Sequence, residues 1–201
     1  MDATAREEIT KLAASIRALE LQLEVALARR RIELNYEVHE GVVHFEQAVI
    51  ARHRLLKARL LRYVLGARPA MILTAPAIYA LIIPLVLLDL FVAVYQAVCF
   101  PVYGVTRVRR SDYLAFDREH LAYLNVIEKL NCAYCAYANG VLAYVREVAA
   151  RTEEYWCPIK HARRVLGVHP RYGDFLDYGD ADACRHDLER LRTQAQSRQP
   201  D

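Results

Sequence analysis

Pro69 to Gly104 reads PAMILTAPAIYALIIPLVLLDLFVAVYQAVCFPVYG, and Asp89 is its single formally charged side chain. A straight helix of this length would run about 54 Å at 1.5 Å per residue, well beyond a hydrocarbon core roughly 30 Å thick. Two full spans would need about 40 residues and a turn. Pro76, Pro84 and Pro101 offer places to break or bend. The length predicts a short membrane-inserted helical hairpin, with a single tilted span and a buried soluble core as the alternatives. Asp89 is a functional candidate on the ground that a lone carboxylate is costly in lipid, and a polar hairpin tip is the plainer explanation.

The flanks of this segment are basic. Arg52, Arg54, Lys57, Arg59, Arg62 and Arg68 precede it with no acid among them, and Arg107, Arg109 and Arg110 follow. Basic residues on both sides fit the anionic cytoplasmic leaflet, so both termini are expected on that side, as in a bacterial inner-membrane protein. The partner implied here is the lipid bilayer.

Toward the amino end, Ile9, Leu12, Ile16, Leu19, Leu23 and Ala26 repeat at alternating steps of three and four. That is an a/d seam, which predicts an amphipathic helix that joins a protein partner or a second copy of itself. A second helical run is expected from Glu33 to Gly66, with Glu33, Glu37, Glu40, His44 and Gln47 along one stripe. After Ser111 and Asp112 a further run extends to about Ala150, and a last polar helix spans Ala181 to Gln196. No alternation of strand type is sustained. The fold class is all-α: long antiparallel helices, a membrane-inserted hairpin and a C-terminal helical metal-binding module. The boundaries fall at residues 1–68, 69–106 and 107–201.

Charged residues are 25% of the 201 and hydrophobic ones 55%, a balance that excludes a disordered chain. A net charge of +3 gives no footprint for nucleic acid. The five cysteines are too few to staple a chain of this length, and their spacing points to ligation. Cys132 and Cys135 form a C-x-x-C pair, and after twenty-one further residues Cys157 and His161 form a C-x-x-x-H pair. Two chelating pairs on such a connector make a four-ligand site, for which tetrahedral zinc is the expected ion. An iron–sulfur cluster is the alternative, since His can replace Cys as a ligand. On a helical wheel Asn125, Glu128 and Asn139 share the face of the first pair, and Glu154 precedes the second. These four are candidate outer partners of the ligands.

With four protein ligands no position stays open for water, so a binding or assembly module is expected rather than a hydrolase. Two other functions fit the same residues. One is an iron–sulfur or dithiol redox subunit of a membrane oxidoreductase; the other is a metal-free coiled-coil scaffold. No Gly-rich phosphate loop and no Ser/His/Asp set stands out.

Overall fold

A computed structural model describes residues 3–34, 36–39 and 42–197. The chain is mostly helical: α1 (Ala3–Glu33), β1 (Tyr36–His39), β2 (Val42–Phe45), α2 (Gln47–Leu55), α3 (Leu60–Leu65), α4 (Pro69–Ala80), α5 (Ile82–Tyr103), α6 (Val126–Trp156) and α7 (Ala181–Ser197). It divides into two units: Met1–Leu60 with Asp117–Asn125, and Leu61–Phe116 with Val126–Asp201. The expected segments 69–106 and 107–201 therefore belong largely to one folding unit.

The first unit holds α1, a hairpin and α2. Ala, Leu, Glu and Arg fill α1 without a Gly or Pro, and Arg30 and Arg31 in its last turn complement the carbonyl end of the helix. Every described side chain from Lys11 to Leu34 is exposed, including Leu12, Ile16, Leu19 and Leu23 of the seam; the side chain of Ile9 lies outside the described residues. The expected helical run from Glu33 to Gly66 forms only in its later part, as α2 and α3. Tyr36 to His39 pairs antiparallel with Val42 to Phe45, and Glu37 stands opposite His44. Val, Tyr and Phe at these positions suit a pleated surface better than a helix, and pairing overrides the helical stripe. Glu40 lies outside the described residues. Ring contacts continue from Tyr36 to Phe45 (5.5 Å), from Phe45 to His53 (5.3 Å) and from His53 to Tyr123 (5.1 Å), a half-exposed aromatic cluster.

The second unit is built around α5 and α6. Pro69 opens α4 at a position where its missing N–H is harmless. Pro84 cannot donate to the carbonyl of Ala80, and the helix breaks there; Leu81 keeps right-handed helical angles of φ −63° and ψ −14°. The stretch Pro69–Tyr103 is thus one helical run with a break, 35 residues long, and apolar enough to cross a membrane. The expected hairpin is absent, because a proline that removes one bond does not reverse a chain whose other angles stay helical.

Gly104 ends α5 at φ 69°, a left-handed conformation that glycine adopts without a Cβ penalty. The N–H of Val105 donates to the carbonyl of Phe100 at 2.9 Å and that of Gly104 to Pro101 at 3.3 Å, closing the last turn. The chain then runs back along α5. Val108 donates its N–H to Oε1 of Gln96 (3.0 Å), and Gln96 Nε2 donates to the carbonyl of Val108 (3.2 Å). Pro101 leaves the carbonyl of Ala97 without its helical donor, and Arg107 Nη2 donates to that carbonyl at 2.8 Å. Phe100, Val105, Val108, Tyr144 and Val148 form the core between α5, this return segment and α6.

Helix α6 runs unbroken for 31 residues in the same direction as α5. Tyr79 bonds Asn131, Tyr137 bonds Asp89, Tyr144 meets Gln96, and Tyr103 stacks on Tyr155 at 5.2 Å. The last helix, α7, lies where the sequence places it. Asp180 Oδ1 accepts from the N–H of Ala183 at 2.9 Å as its cap, Leu191 and Ala195 are buried, and Gln196 Nε2 donates to the carbonyl of Tyr103.

Gly140 is where the return segment crosses α6. A Cβ there would stand 2.6 Å from the carbonyl oxygen of Tyr113 and 2.9 Å from Leu114 Cγ. Alanine gains about 0.5–1 kcal/mol of helix preference over glycine, but a clash with backbone in a packed region costs about 1–3 kcal/mol. Gly140→Ala is expected to lower the thermal midpoint, read by circular dichroism of the purified protein. A midpoint at or above wild type would mean that the crossing is loose.

Candidate functional site

The four expected metal ligands are not brought together. Cys132 and Cys135 lie in the second turn of α6 or just beyond, whereas Cys157 directly follows its last residue. Twenty-two to twenty-five residues of helix separate them, roughly 33–37 Å at 1.5 Å per residue. A metal requires ligands within about 2–2.3 Å, so no single ion reaches both pairs. Cys135, Cys157 and His161 are exposed and Cys132 half-buried. Among the described residues no group of three or more His, Cys, Asp or Glu side chains could hold a metal ion. The connector between the two pairs does not fold back, because the residues from Ala136 to Trp156 form helix throughout.

Pro158 also stops α6 instead of opening a new helix. The residue before a proline is pushed out of the helical region, and Cys157 is that residue. Beyond it the chain is extended: Lys160 N–H donates to the carbonyl of Leu176 (2.7 Å), Leu176 N–H donates to that of Pro158 (2.8 Å), and Ile159 bridges to Leu176. His161 donates its backbone N–H to the Tyr172 hydroxyl at 2.6 Å, with the two rings stacked 6.2 Å apart. The expected outer partners disperse likewise. Asn125 is buried immediately before α6, at the position asparagine favours for capping. Glu128 is half-buried in the first turn, Asn139 Nδ2 donates to the carbonyl of Cys135 at 2.9 Å, and Glu154 is buried against Arg171.

Two polar clusters stand in their place. The first surrounds Asp89, which is only 8% exposed. Arg110 Nε donates to its two oxygens at 3.0 and 3.1 Å, Nη2 donates to Oδ2 at 2.6 Å, and the Tyr137 hydroxyl donates to Oδ2 at 3.0 Å. A forked guanidinium and a phenol direct three donors, in four contacts, at one carboxylate, which removes the cost of carrying it in an apolar helix. Gln96, two turns on, is equally buried; its Nε2 lies 2.5 Å from the Tyr144 hydroxyl. Both polar side chains of α5 therefore point into the protein.

The second cluster lies in the charged half of α6. Glu147 Oε1 accepts from Arg151 Nε at 2.8 Å and from Arg171 Nη2 at 2.7 Å, while Arg171 Nη1 reaches Glu154 at 3.3 Å. Arg151 Nη1 donates to the carbonyl of Thr106 at 2.8 Å, tying the return segment to α6. Two arginines and two glutamates balance in charge, and His169 beside Glu153 (3.1 Å) extends the network. Burial pushes the Glu147 carboxyl up, but hydrogen bonds from Arg151 and Arg171 together with their charges outweigh it and hold it below the usual carboxylate range. This is a structural clamp: each of its acids faces a base.

Asp89 itself was legible in the sequence; its partners were not singled out. A lone carboxylate in an apolar helix demands a cation, and Arg110 of the basic flank supplies it. Glu147, Arg151 and Glu154 at i, i+4 and i+7 share the face of Tyr144 and Val148, a pattern that marks buried charge on a core-facing stripe. No family model matches the chain, and no curated protein or solved structure shows significant similarity to it.

Glu147→Gln leaves two nearly buried guanidinium groups without their shared anion, which costs about 3–5 kcal/mol in comparable buried pairs. Because the folded-state pKa of Glu147 is depressed, its contribution is complete above the unfolded value of about 4.3 and is lost as pH falls through the lower, folded-state value. The stability gap between wild type and Glu147→Gln is expected to be large at pH 7 and to close toward pH 3, measured by thermal unfolding across that range. A gap independent of pH would show that the carboxylate charge contributes nothing.

Proposed function

We propose that this protein is a membrane-attached assembly module, held on lipid through the outer face of α5 and joined to a second copy of itself through α1. The carrying observation is the inverted pattern of α5. Every exposed side chain on it is apolar, Ile83, Val86, Leu87, Leu90, Phe91, Val94, Val98 and Val102 among them, while Asp89 and Gln96 are turned inward. A water-facing helix has the opposite arrangement. Transferring eight such side chains from water gives on the order of 10 kcal/mol, at about 1.5–3 kcal/mol for a full side chain and less for those partly covered already. The basic residues before α4 and after α5 add attraction to an anionic surface, at about 1 kcal/mol for each one near it. Both ends of the apolar run then lie on the cytoplasmic side.

The α1 seam supports self-association. Leu12, Ile16, Leu19 and Leu23 are exposed on a helix 31 residues long, with isoleucine and leucine alternating at Ile16 and Leu19 as in two-stranded coils. An isolated helix gains its stability mainly from packing an apolar face, and the described side chains of this face are all exposed. Zinc and an iron–sulfur cluster have no place in this proposal, because their expected ligands stand at opposite ends of α6.

Two measurements test it. Wild type is expected to float with phosphatidylglycerol vesicles, and Leu90→Lys with Val94→Lys to lower vesicle affinity more than about 100-fold, since each lysine costs about 2.5–3.5 kcal/mol at depth. Wild type left wholly in the aqueous fraction would refute attachment. Leu12→Lys with Leu19→Lys is expected to convert a dimer to a monomer in sedimentation while vesicle binding persists; an unchanged mass would refute the seam.

A further inference from the structure

Resting on the membrane attachment proposed above, we infer that α5 lies along the membrane surface, embedded by one face, and does not cross the bilayer. The exposed positions of α5 are Ile83, Pro84, Val86, Leu87, Leu90, Phe91, Val94, Ala97, Val98, Pro101 and Val102, all uncharged and apolar. At 100° per residue they fill an arc of about 160°, and Asp89, Gln96 and Phe100 centre on the opposite side. The stripe continues from one end of the helix to the other, about 30 Å. A crossing helix packed on α6 would present the same stripe, so the charges behind α5 distinguish it from a helix lying in the interface.

The other side of α5 decides the matter. The return segment runs back along it, with Arg107 on the carbonyl of Ala97, Val108 on Gln96 and Arg110 on Asp89. These partners stand 6 and 14 residues before Tyr103, about 9 and 21 Å along the axis. Arg107, Arg109, Ser111 and Asp112 are exposed there. Were α5 transverse, formal charges would sit on the lipid-facing perimeter at its middle, each costing about 2.5–3.5 kcal/mol or more. Helix α6 adds Arg146, exposed, within a turn of Tyr144, which lies level with Gln96. If only residues 69–88 crossed, Leu90, Phe91, Val94, Val98 and Val102 would be left in water. The in-plane position alone covers the whole stripe and keeps every exposed charge wet. Its depth is about 5–10 Å, at the boundary of headgroups and acyl chains.

The test places a nitroxide at Ile83, Leu87, Leu90, Val94 or Val98 in a full-length chain whose five cysteines are replaced by serine or alanine, bound to phosphatidylglycerol–phosphatidylcholine vesicles. Collision with oxygen and with an aqueous nickel chelate reports depth. In-plane binding predicts five depths within about 5 Å of one another, whereas a crossing helix predicts a gradient approaching the roughly 22 Å between positions 83 and 98. A gradient overturns the in-plane inference and leaves attachment standing. Wild type that fails to float overturns the attachment itself. Should the cysteine-free chain fail to bind, wild type added to preformed sealed vesicles is treated with external trypsin. Cleavage within both 52–68 and 107–110 supports the in-plane position, and protection of either flank contradicts it.

Discussion

The structure depends on the inward turn of one carboxylate. Asp89 is the only formal charge in the longest apolar run of the chain, and three donor contacts from Arg110 and one from Tyr137 fix where it points. Once it faces the protein, the 3.6-residue repeat dictates the rest of α5. Gln96 falls on the same side and meets Val108 and Tyr144, Phe100 follows into the core, and the aliphatic residues are left outside. The ion pair also locates the return segment, since Arg110 can reach Asp89 only if the chain reverses at Gly104 and runs back close along the helix.

That reversal solves a problem the prolines create. Pro101 frees the carbonyl of Ala97, and the returning chain supplies Arg107 to it. Gly140 gives the same chain room to pass over α6, and Arg151 ties it down at Thr106. Polar groups near the apolar helix are thus satisfied from within, as a non-aqueous neighbour requires, and the apolar surface they leave is the one proposed to meet lipid.

The helical class, the first helix, the apolar run and the last helix were legible in the sequence because each rests on a local signal: a period, a charge gap, a polar helical stretch. The hairpin at Tyr36–Phe45 was missed because its strands are four residues long and carry glutamate and histidine at helical as well as strand spacing. The metal site failed for a different reason. Cys132, Cys135, Cys157 and His161 have the spacing of two chelating pairs, but spacing is silent on whether the connector bends. Here Ala136 to Trp156 carry no internal proline, and their one glycine, Gly140, is a contact point with the return segment, so the helix continues and holds the pairs apart. Among the site residues, Asp89 could be found from composition alone; Arg110, Tyr137, Glu147 and Arg171 are brought to their partners by a chain reversal and by long-range packing that no local pattern encodes.

The most direct measurement uses a single reporter on the outer face of α5. Trp156 is the only tryptophan, so Phe91→Trp in a Trp156→Phe background carries one indole midway along the stripe. With vesicles whose acyl chains are brominated, the emission is expected to shift to shorter wavelength on binding and to be strongly quenched by the bromines. Emission that keeps its aqueous wavelength and is untouched by bromine in the vesicle-bound protein would contradict a lipid-facing α5.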